Sequence, residues 1–398
     1  MKARRFGQWS KTGVGAAGLV ALGMVWSGAA LAEGLPPVKL SFSNGGSLTF
    51  YGNISKGVLS FDDGVETKSY SIIDNDNATT SFGLTYEQPL DDWTFSGTLD
   101  FNYAPFSTAN ANILDPSPSA GSFEITDDDW NQIQIVLQNK TAGTFSLGQG
   151  PMATYSAAEV DLSGTTVIAY SEIMDTAAGQ LFRLSDPSLG YPDNVSSVSV
   201  GDAFANFDGD QFVRFRYDTP TWDGFGASFA FGRDLLTGTS ETKQDNIADV
   251  AVNYAGSNAD WQYQAAAGYL YDQGGADNLV ASGSILHKPT GLNFTVAAGS
   301  SDGDYGTGSY VYSKIGLTRK FASWGATSFA ADYYAGNDIN LEEAITSSDS
   351  KTWSFSVVQN IDRANLSIYA TYRVYDYQDN TADYYDADAA FIGFQFTF

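Results

Sequence analysis

The feature that most constrains this chain is a hydropathy period of two. From about residue 47 onward, apolar side chains recur at every second position, and the 3.6-residue spacing of an amphipathic helix is nearly absent. Trp93, Phe95, Leu99 and Phe101 alternate with Thr94, Ser96, Thr98 and Asp100. Ile133, Ile135 and Leu137 alternate with Gln132, Gln134 and Gln138, and Leu366, Ile368, Ala370 and Tyr372 with Ser367, Tyr369, Thr371 and Arg373. Successive side chains of a strand point to opposite faces, so each segment has one apolar and one markedly polar face. Sixteen such segments are legible, near 47–61, 79–88, 93–103, 129–139, 144–149, 209–217, 224–233, 246–254, 261–271, 278–288, 291–300, 309–320, 326–335, 350–360, 364–376 and 387–398. Their connections alternate in length. Short ones fall at 89–92, 140–143, 218–223, 255–260, 289–290, 321–325 and 361–363. Longer ones fall at 62–78, 104–128, 150–208, 234–245, 272–277, 301–308, 336–349 and 377–386.

An even strand number, with short turns on one rim and long loops on the other, is the pattern of a closed transmembrane barrel. A soluble β-sandwich or propeller would also alternate, but its connections would not sort by length in this way. Tryptophan placement agrees: Trp93, Trp222, Trp261 and Trp324 lie in or just after short connections, and Trp130 and Trp353 open strands after long ones. Strand ends are where aromatic girdles meet the two membrane interfaces. The last segment carries Ala390, Ile392, Phe394, Phe396 and Phe398 at alternate positions, a row that a barrel closing on its first strand presents to lipid. The expected fold is all-β, a 16-stranded antiparallel transmembrane β-barrel with short periplasmic turns and long outer loops, as one domain over 33–398.

Residues 1–32 read as a cleaved signal peptide. Lys2, Arg4, Arg5 and Lys11 precede an apolar run that ends Ala30-Leu31-Ala32, the small-x-small pattern of signal-peptidase sites. The run is too weakly apolar to favour a membrane anchor, and no later segment reaches the ~18 apolar residues of a membrane helix. Without the leader's four bases, 16 basic residues face 46 acids, a net charge of −30. That charge excludes nucleic acid as a partner, because phosphate binding needs a basic surface. The chain has no Cys and one His, which removes thiolate nucleophiles, His-rich zinc sites and disulfide frameworks. The only candidate base for a Ser–His hydrolase, His287, sits at a short turn with no GxSxG, so an enzyme is not expected.

Three stretches carry a family resemblance: VRFRYDTPTWDGFGASFAFG at 213–232, GTFSLGQG at 143–150 and SLTFYGNISKG at 47–57. With them the chain resembles a Gram-negative general diffusion porin of the alphaproteobacterial type, over essentially all of 33–398. The resemblance implies a multi-pass outer-membrane barrel in a homotrimer, each barrel water-filled and narrowed by its third long loop, here 150–208, folded into the lumen. It also implies contact with outer-membrane lipid and lipopolysaccharide, insertion by the barrel-assembly machinery, small hydrophilic permeants and no required cofactor. Gln149 departs from it, standing where many relatives carry a basic residue.

The residues themselves permit such a constriction. The 150–208 connection is by far the longest, and a structureless loop of that size needs a role. It carries Glu159, Asp161, Glu172 and Asp175, while Arg214 and Arg216 lie on the polar face of the next strand and Arg373 on that of the fifteenth. Acids on a loop facing arginines on a wall would set a field across the opening and select permeants by size and charge. Arg183 joins the basic side if its segment turns back to the wall. The acid surplus predicts a modest cation preference at low salt. The competing reading is a substrate-selective channel for a sugar or other nutrient, with Tyr155, Tyr170 or Phe182 as an aromatic slide. Acid pairs at Asp208 and Asp210 and at Asp302 and Asp304 offer oxygen ligands suited to Ca2+, with plain hydrated loops as the alternative.

Overall fold

The computed structural model describes residues 35–117, 129–189, 194–236 and 245–398. The signal-peptide reading of 1–32 falls outside the described residues. Sixteen antiparallel strands close a ring: β1 (Ser47–Asp62), β2 (Thr67–Asp74, resumed at Ser81–Leu90), β3 (Trp93–Asn102), β4 (Trp130–Asn139), β5 (Gly143–Pro151), β6 (Gln211–Asp218), β7 (Phe225–Arg233), β8 (Ile247–Ser257), β9 (Trp261–Asp272), β10 (Asp277–His287), β11 (Leu292–Gly303), β12 (Gly306–Ala322), β13 (Gly325–Asn337), β14 (Ser348–Ile361), β15 (Leu366–Asp379) and β16 (Ala387–Thr397). Each pairs with its neighbour in sequence, and β16 returns to β1 in register from Asn53 opposite Thr397 to Asp62 opposite Asp388. Closure removes the free edges that an open sheet would leave.

The two-residue period separates outside from inside. On β12, Val311 and Ile315 are exposed while Tyr310, Tyr312 and Lys314 are buried. On β4, Ile133, Ile135 and Leu137 point outward, and Gln132 and Gln134 are enclosed. A soluble fold would invert this arrangement. Apolar side chains outside a ring whose backbone groups are paired strand to strand are stable against lipid.

Four features depart from the sequence expectation. The connection read as 62–78 is mostly strand: the chain turns at 63–66, pairs with β1 through Thr67–Asp74, makes one 3-10 turn at Asp76–Ala78 and resumes pairing at Ser81. The break falls where Asn75 folds its side chain onto the Asn77 amide, which diverts the backbone inward. The connections near 272–277 and 301–308 contract to tight turns, so the outer rim mixes long loops with hairpins. Trp353 lies well inside β14 instead of opening it. Finally, Val38–Ser41 forms a short strand on Ser47–Phe50, and the Asn365 side chain brackets Leu35, accepting from its N–H at 3.1 Å and donating to its carbonyl at 2.9 Å.

The lumen holds the main apolar cluster of the described residues. Ile168, Ile173, Met174, Phe182, Val200 and Phe204 of the β5–β6 connection pack against Tyr310, Tyr334, Tyr369, Tyr375 and Phe391, which project inward from β12, β13, β15 and β16. These wall positions are tyrosine-rich for a reason. A Tyr offers the loop an apolar ring and still carries a hydroxyl for the loop's backbone.

Candidate functional site

The β5–β6 connection lies inside the barrel, sewn to the wall by short polar side chains. Asp249 on β8 accepts the Thr154 amide at 2.6 Å and its hydroxyl at 2.8 Å. On β10, the Ser282 and Ser284 hydroxyls each accept a loop amide at 2.9 Å, from Val160 and Leu162. On β12, Thr318 donates to the Ser163 carbonyl at 2.6 Å, and Lys314 donates to Thr165 Oγ1 at 3.1 Å and the Ala169 carbonyl at 2.7 Å. Further round, Tyr334 on β13 donates to the Ala205 carbonyl at 2.7 Å, Ser350 on β14 to the Ala203 carbonyl at 2.5 Å, and Tyr375 on β15 to the Ile173 carbonyl at 3.3 Å. A buried loop must satisfy its peptide groups, and here the wall does so. The inward turn of β2 and the loop after β3 complete the support. Asn75 donates to the Val167 carbonyl at 2.7 Å, and the Thr108 hydroxyl to the Asp175 carbonyl at 2.6 Å.

Within this loop the structure gathers three of the four acids named from sequence. The Tyr170 hydroxyl donates to Asp175 at 2.6 Å and to Glu172 at 3.3 Å, and both acids are buried. Burial pushes Asp175 well above the usual carboxylate range, and the nearby charges of Glu172 and Asp76 push it further. Burial likewise raises the Tyr170 hydroxyl, with Asp175, Glu172 and Glu159 adding to it. Glu159 accepts from Asn206 Nδ2 at 3.1 Å.

The fourth acid and the arginines do something other than face each other. Asp161 is ion-paired with Lys314, both side chains fully enclosed. Arg214 is buried and donates to the carbonyls of Pro151 at 3.0 Å and Gly148 at 2.9 Å and to Gln134 Oε1 at 2.7 Å. Arg216 takes Asp218 through Nε at 3.0 Å and Nη2 at 2.7 Å, and holds the Met152 carbonyl at 2.6 Å. Both arginines therefore clamp the root of the loop. Arg373 is 0% exposed and forks onto Asp332 at 2.9 and 3.0 Å, so it presents no surface to a permeant. Arg183 does turn back to the wall, where Nε and Nη2 meet Asp63 at 2.9 and 2.6 Å beyond the end of β1.

The aromatic slide is not assembled from the residues named. Tyr170 and Phe182 are buried, Phe182 with its ring 5.4 Å from that of Tyr377, and the Tyr155 hydroxyl accepts from Gln211 at 3.3 Å. Nor do the Ca2+ candidates converge. Asp208 is spent on the amides of Ser156 and Ala158, the latter at 2.7 Å, Asp210 accepts the Gln211 amide at 2.7 Å, and Asp302 accepts the Thr307 hydroxyl at 2.7 Å. Asp304 lies in the exposed β11–β12 turn. Among the described residues no three acidic or histidine side chains form a metal-holding group.

Sequence reasoning passed over Lys314 and Asp332. They sit opposite each other on β12 and β13, Asp332 opposite Ser354, and Ser354 opposite Arg373, which makes one charged row across four strands. Both lie in lumenward phase, the same signal that singled out Arg214. The wall on the β3–β6 side is lined by polar side chains bonded along its own surface: Asn131 donates to Asp100 at 2.8 Å, Gln134 to Gln132 at 2.6 Å.

Comparison with known structures places this architecture. OmpT of Vibrio cholerae, an outer-membrane protein, aligns with a TM-score of 0.54 over 90% of this chain and 99% of its own at 13% identity. Its in-vitro folded trimer form aligns with a TM-score of 0.53 over 89% and 99% at 13% identity. OmpF of Salmonella typhi, solved with daunomycin, aligns with a TM-score of 0.55 over 91% and 100% at 11% identity. At such identities the likeness concerns the fold alone. No curated protein sequence matches the chain. The family model for Gram-negative porins matches residues 16–380. The closed antiparallel barrel is the architecture shared with those structures, and with the family model spanning most of its length the chain belongs to the Gram-negative porin family.

Proposed function

We propose that this porin passes small hydrophilic solutes and ions by passive diffusion, with a modest cation preference. The observation that carries the reading is the β5–β6 loop, tied to the inner wall from β8 to β15 and bringing Glu159, Glu172 and Asp175 together within the lumen. The mechanism is geometric and electrostatic, with no bond made or broken. Of these three acids Glu159 keeps part of its surface open and acts on a permeant at close range, whereas acids on outer loops are screened beyond ~10 Å at 0.1 M salt. Export through the 1–32 leader and a homotrimer belong to the same proposal. The trimer form of the Vibrio OmpT structure supports the latter.

Planar-bilayer recording tests it. The expected result is large ohmic steps, a reversal potential in a KCl gradient displaced toward cation selectivity, and no block by sugars. Folded protein that gives no steps refutes the channel, and saturable sugar block replaces general diffusion with a substrate-selective channel. Cross-linking in detergent reads the oligomer separately.

A further inference from the structure

The rim that carries the short turns is electrically lopsided. Its turns at 91–92, 140–142, 219–224 and 258–260 carry Asp91, Asp92, Asp223 and Asp260 against the single base Lys140. Further round, Lys288, Arg319, Lys320 and Arg363 follow one another on the turns and strand ends between β10 and β15, all of them exposed. In a chain with 46 acids, four exposed bases on one arc are unusual, and the acids facing them are few. Asp362 lies 3.5 Å from Lys320, and the Asp260 carbonyl accepts the Lys288 amide at 2.8 Å.

The arc is also ordered and faces sideways. Arg319 lies in phase with Val311, Ile315 and Leu317 on β12, so it leaves the barrel on the lipid-facing side. Its Nε donates to the Thr290 carbonyl at 2.6 Å and an Nη2 proton to the Pro289 carbonyl at 3.1 Å, which fixes the guanidinium over the β10–β11 turn. Lys288 reaches Ser257 Oγ at 2.5 Å and the Asn258 carbonyl at 2.7 Å. His287 packs against Trp261 with ring centroids 4.5 Å apart and planes tilted by 43°, and its Nδ1 meets Thr290 Oγ1 at 2.8 Å. Beside the bases stand Phe321 and Trp324, both largely exposed. One outward position along β12 from Arg319, the residues Leu292, Leu317 and Phe329 lie opposite one another on three adjacent strands and form an outward apolar row.

We propose that this arc binds the phosphate headgroup of an anionic phospholipid from the leaflet that meets the short-turn rim. Arg319 holds the phosphate, Lys288 and Lys320 supply positive charge on either side of it, and the acyl chains lie on Leu292, Leu317 and Phe329. Protons left on the Arg319 guanidinium after its two carbonyl bonds suit an anionic oxygen cluster, and an ammonium group on either side adds to the local positive field. Basic residues at a membrane surface attract anionic lipid, each contributing a several-fold preference. The sideways placement and the flanking aromatic rings favour lipid over the anionic cell-wall polymer that would approach from below. The proposal rests on the outer-membrane reading, in which short turns face the periplasm. It is nevertheless separable from channel activity.

The test uses the full protein folded into equimolar phosphatidylglycerol and phosphatidylcholine vesicles, with the lipids that stay bound after mild detergent extraction counted by native mass spectrometry. The expected result is an enrichment of phosphatidylglycerol of about threefold or more, lost at high salt and lost in the triple variant K288Q/R319Q/K320Q, with single-channel conductance unchanged. Failure of the triple variant to fold leaves two arms standing, R319Q alone and the salt dependence of the unaltered protein. Equal retention of both lipids, or enrichment that survives the triple substitution, overturns the proposal. So does binding to purified cell-wall sacculi that depends on the three bases while lipid retention does not. Conductance without lipid enrichment refutes this site alone; absence of conductance refutes the channel reading and leaves the lipid count to be judged separately.

Discussion

Replacing Lys314 by Met probes the attachment of the loop to the wall. In the folded barrel, Lys314 is 0% exposed and its partner Asp161 is 2% exposed at the side chain, so the substitution strands a carboxylate where water does not reach. Breaking one side of a buried ion pair costs about 3–5 kcal/mol, because the remaining charge is left uncompensated. The same substitution removes the donors to Thr165 Oγ1 and the Ala169 carbonyl, and each lost bond adds about 1 kcal/mol. Adding Asp161→Leu removes the stranded charge, so the double variant should regain about 2 kcal/mol or more of the loss while keeping the part due to the two bonds. Urea titration of vesicle-folded protein, followed by heat-modifiable gel mobility, measures both variants. Bilayer recordings should show added current noise in K314M, since residues 161–169 lose the Lys314 anchor and keep only Thr318 on β12. A K314M variant within about 1 kcal/mol of the unaltered protein, or a double variant as unstable as the single one, would refute the claim that a buried charge pair fixes the loop.

Three further outcomes are expected. Arg216→Ala removes the cation beside Asp218 and the donor to the Met152 carbonyl, so the reversal potential should move toward stronger cation preference, and an unchanged potential removes Arg216 from any role in selectivity. Asp175 has its pKa raised in the folded state by burial, then by Glu172 and Asp76, so the folded chain holds a proton that the unfolded chain releases. Stability from this group is therefore full below the ordinary carboxylate range, falls as pH rises through the window up to the raised value, and is level above it. Asp175→Asn should flatten that slope, as read by unfolding midpoints across acidic pH. Gly148 has φ +121° and a Cβ there would sit 2.2 Å from the Ile133 carbonyl, whereas a Cβ on Gly97 meets nothing within 4 Å. Gly148→Ala should cost about 2 kcal/mol or more and Gly97→Ala less than about 1, compared by thermal midpoint.

The barrel wall was legible because lipid outside and a polar lumen inside impose one rule on every strand, and the rule has the same period everywhere. The sixteen segments, the closure of β16 on β1 and the outward row ending at Ile392 and Phe394 all follow from it. The interior obeys no such rule. Whether a loop acid meets an arginine across an opening or a lysine in the wall depends on the path of about 60 residues with no period, and nothing in the local sequence encodes that path. The lumenward phase that found Arg214 and Arg216 could have found Lys314 and Asp332 as well, since it marks every charge that enters the barrel. What phase cannot do is pair them. Arg373 and Asp332 lie on β15 and β13, with Ser354 of β14 between them in register, and only the closed sheet makes them neighbours. The charges most easily read as a selectivity device from sequence are in large part the fastenings of the loop. Of the loop acids, Glu172 and Asp175 are buried and the Asp161 side chain is enclosed with Lys314, whereas Glu159 keeps part of its surface open, so Glu159 is the first position at which charge should be altered to change what passes.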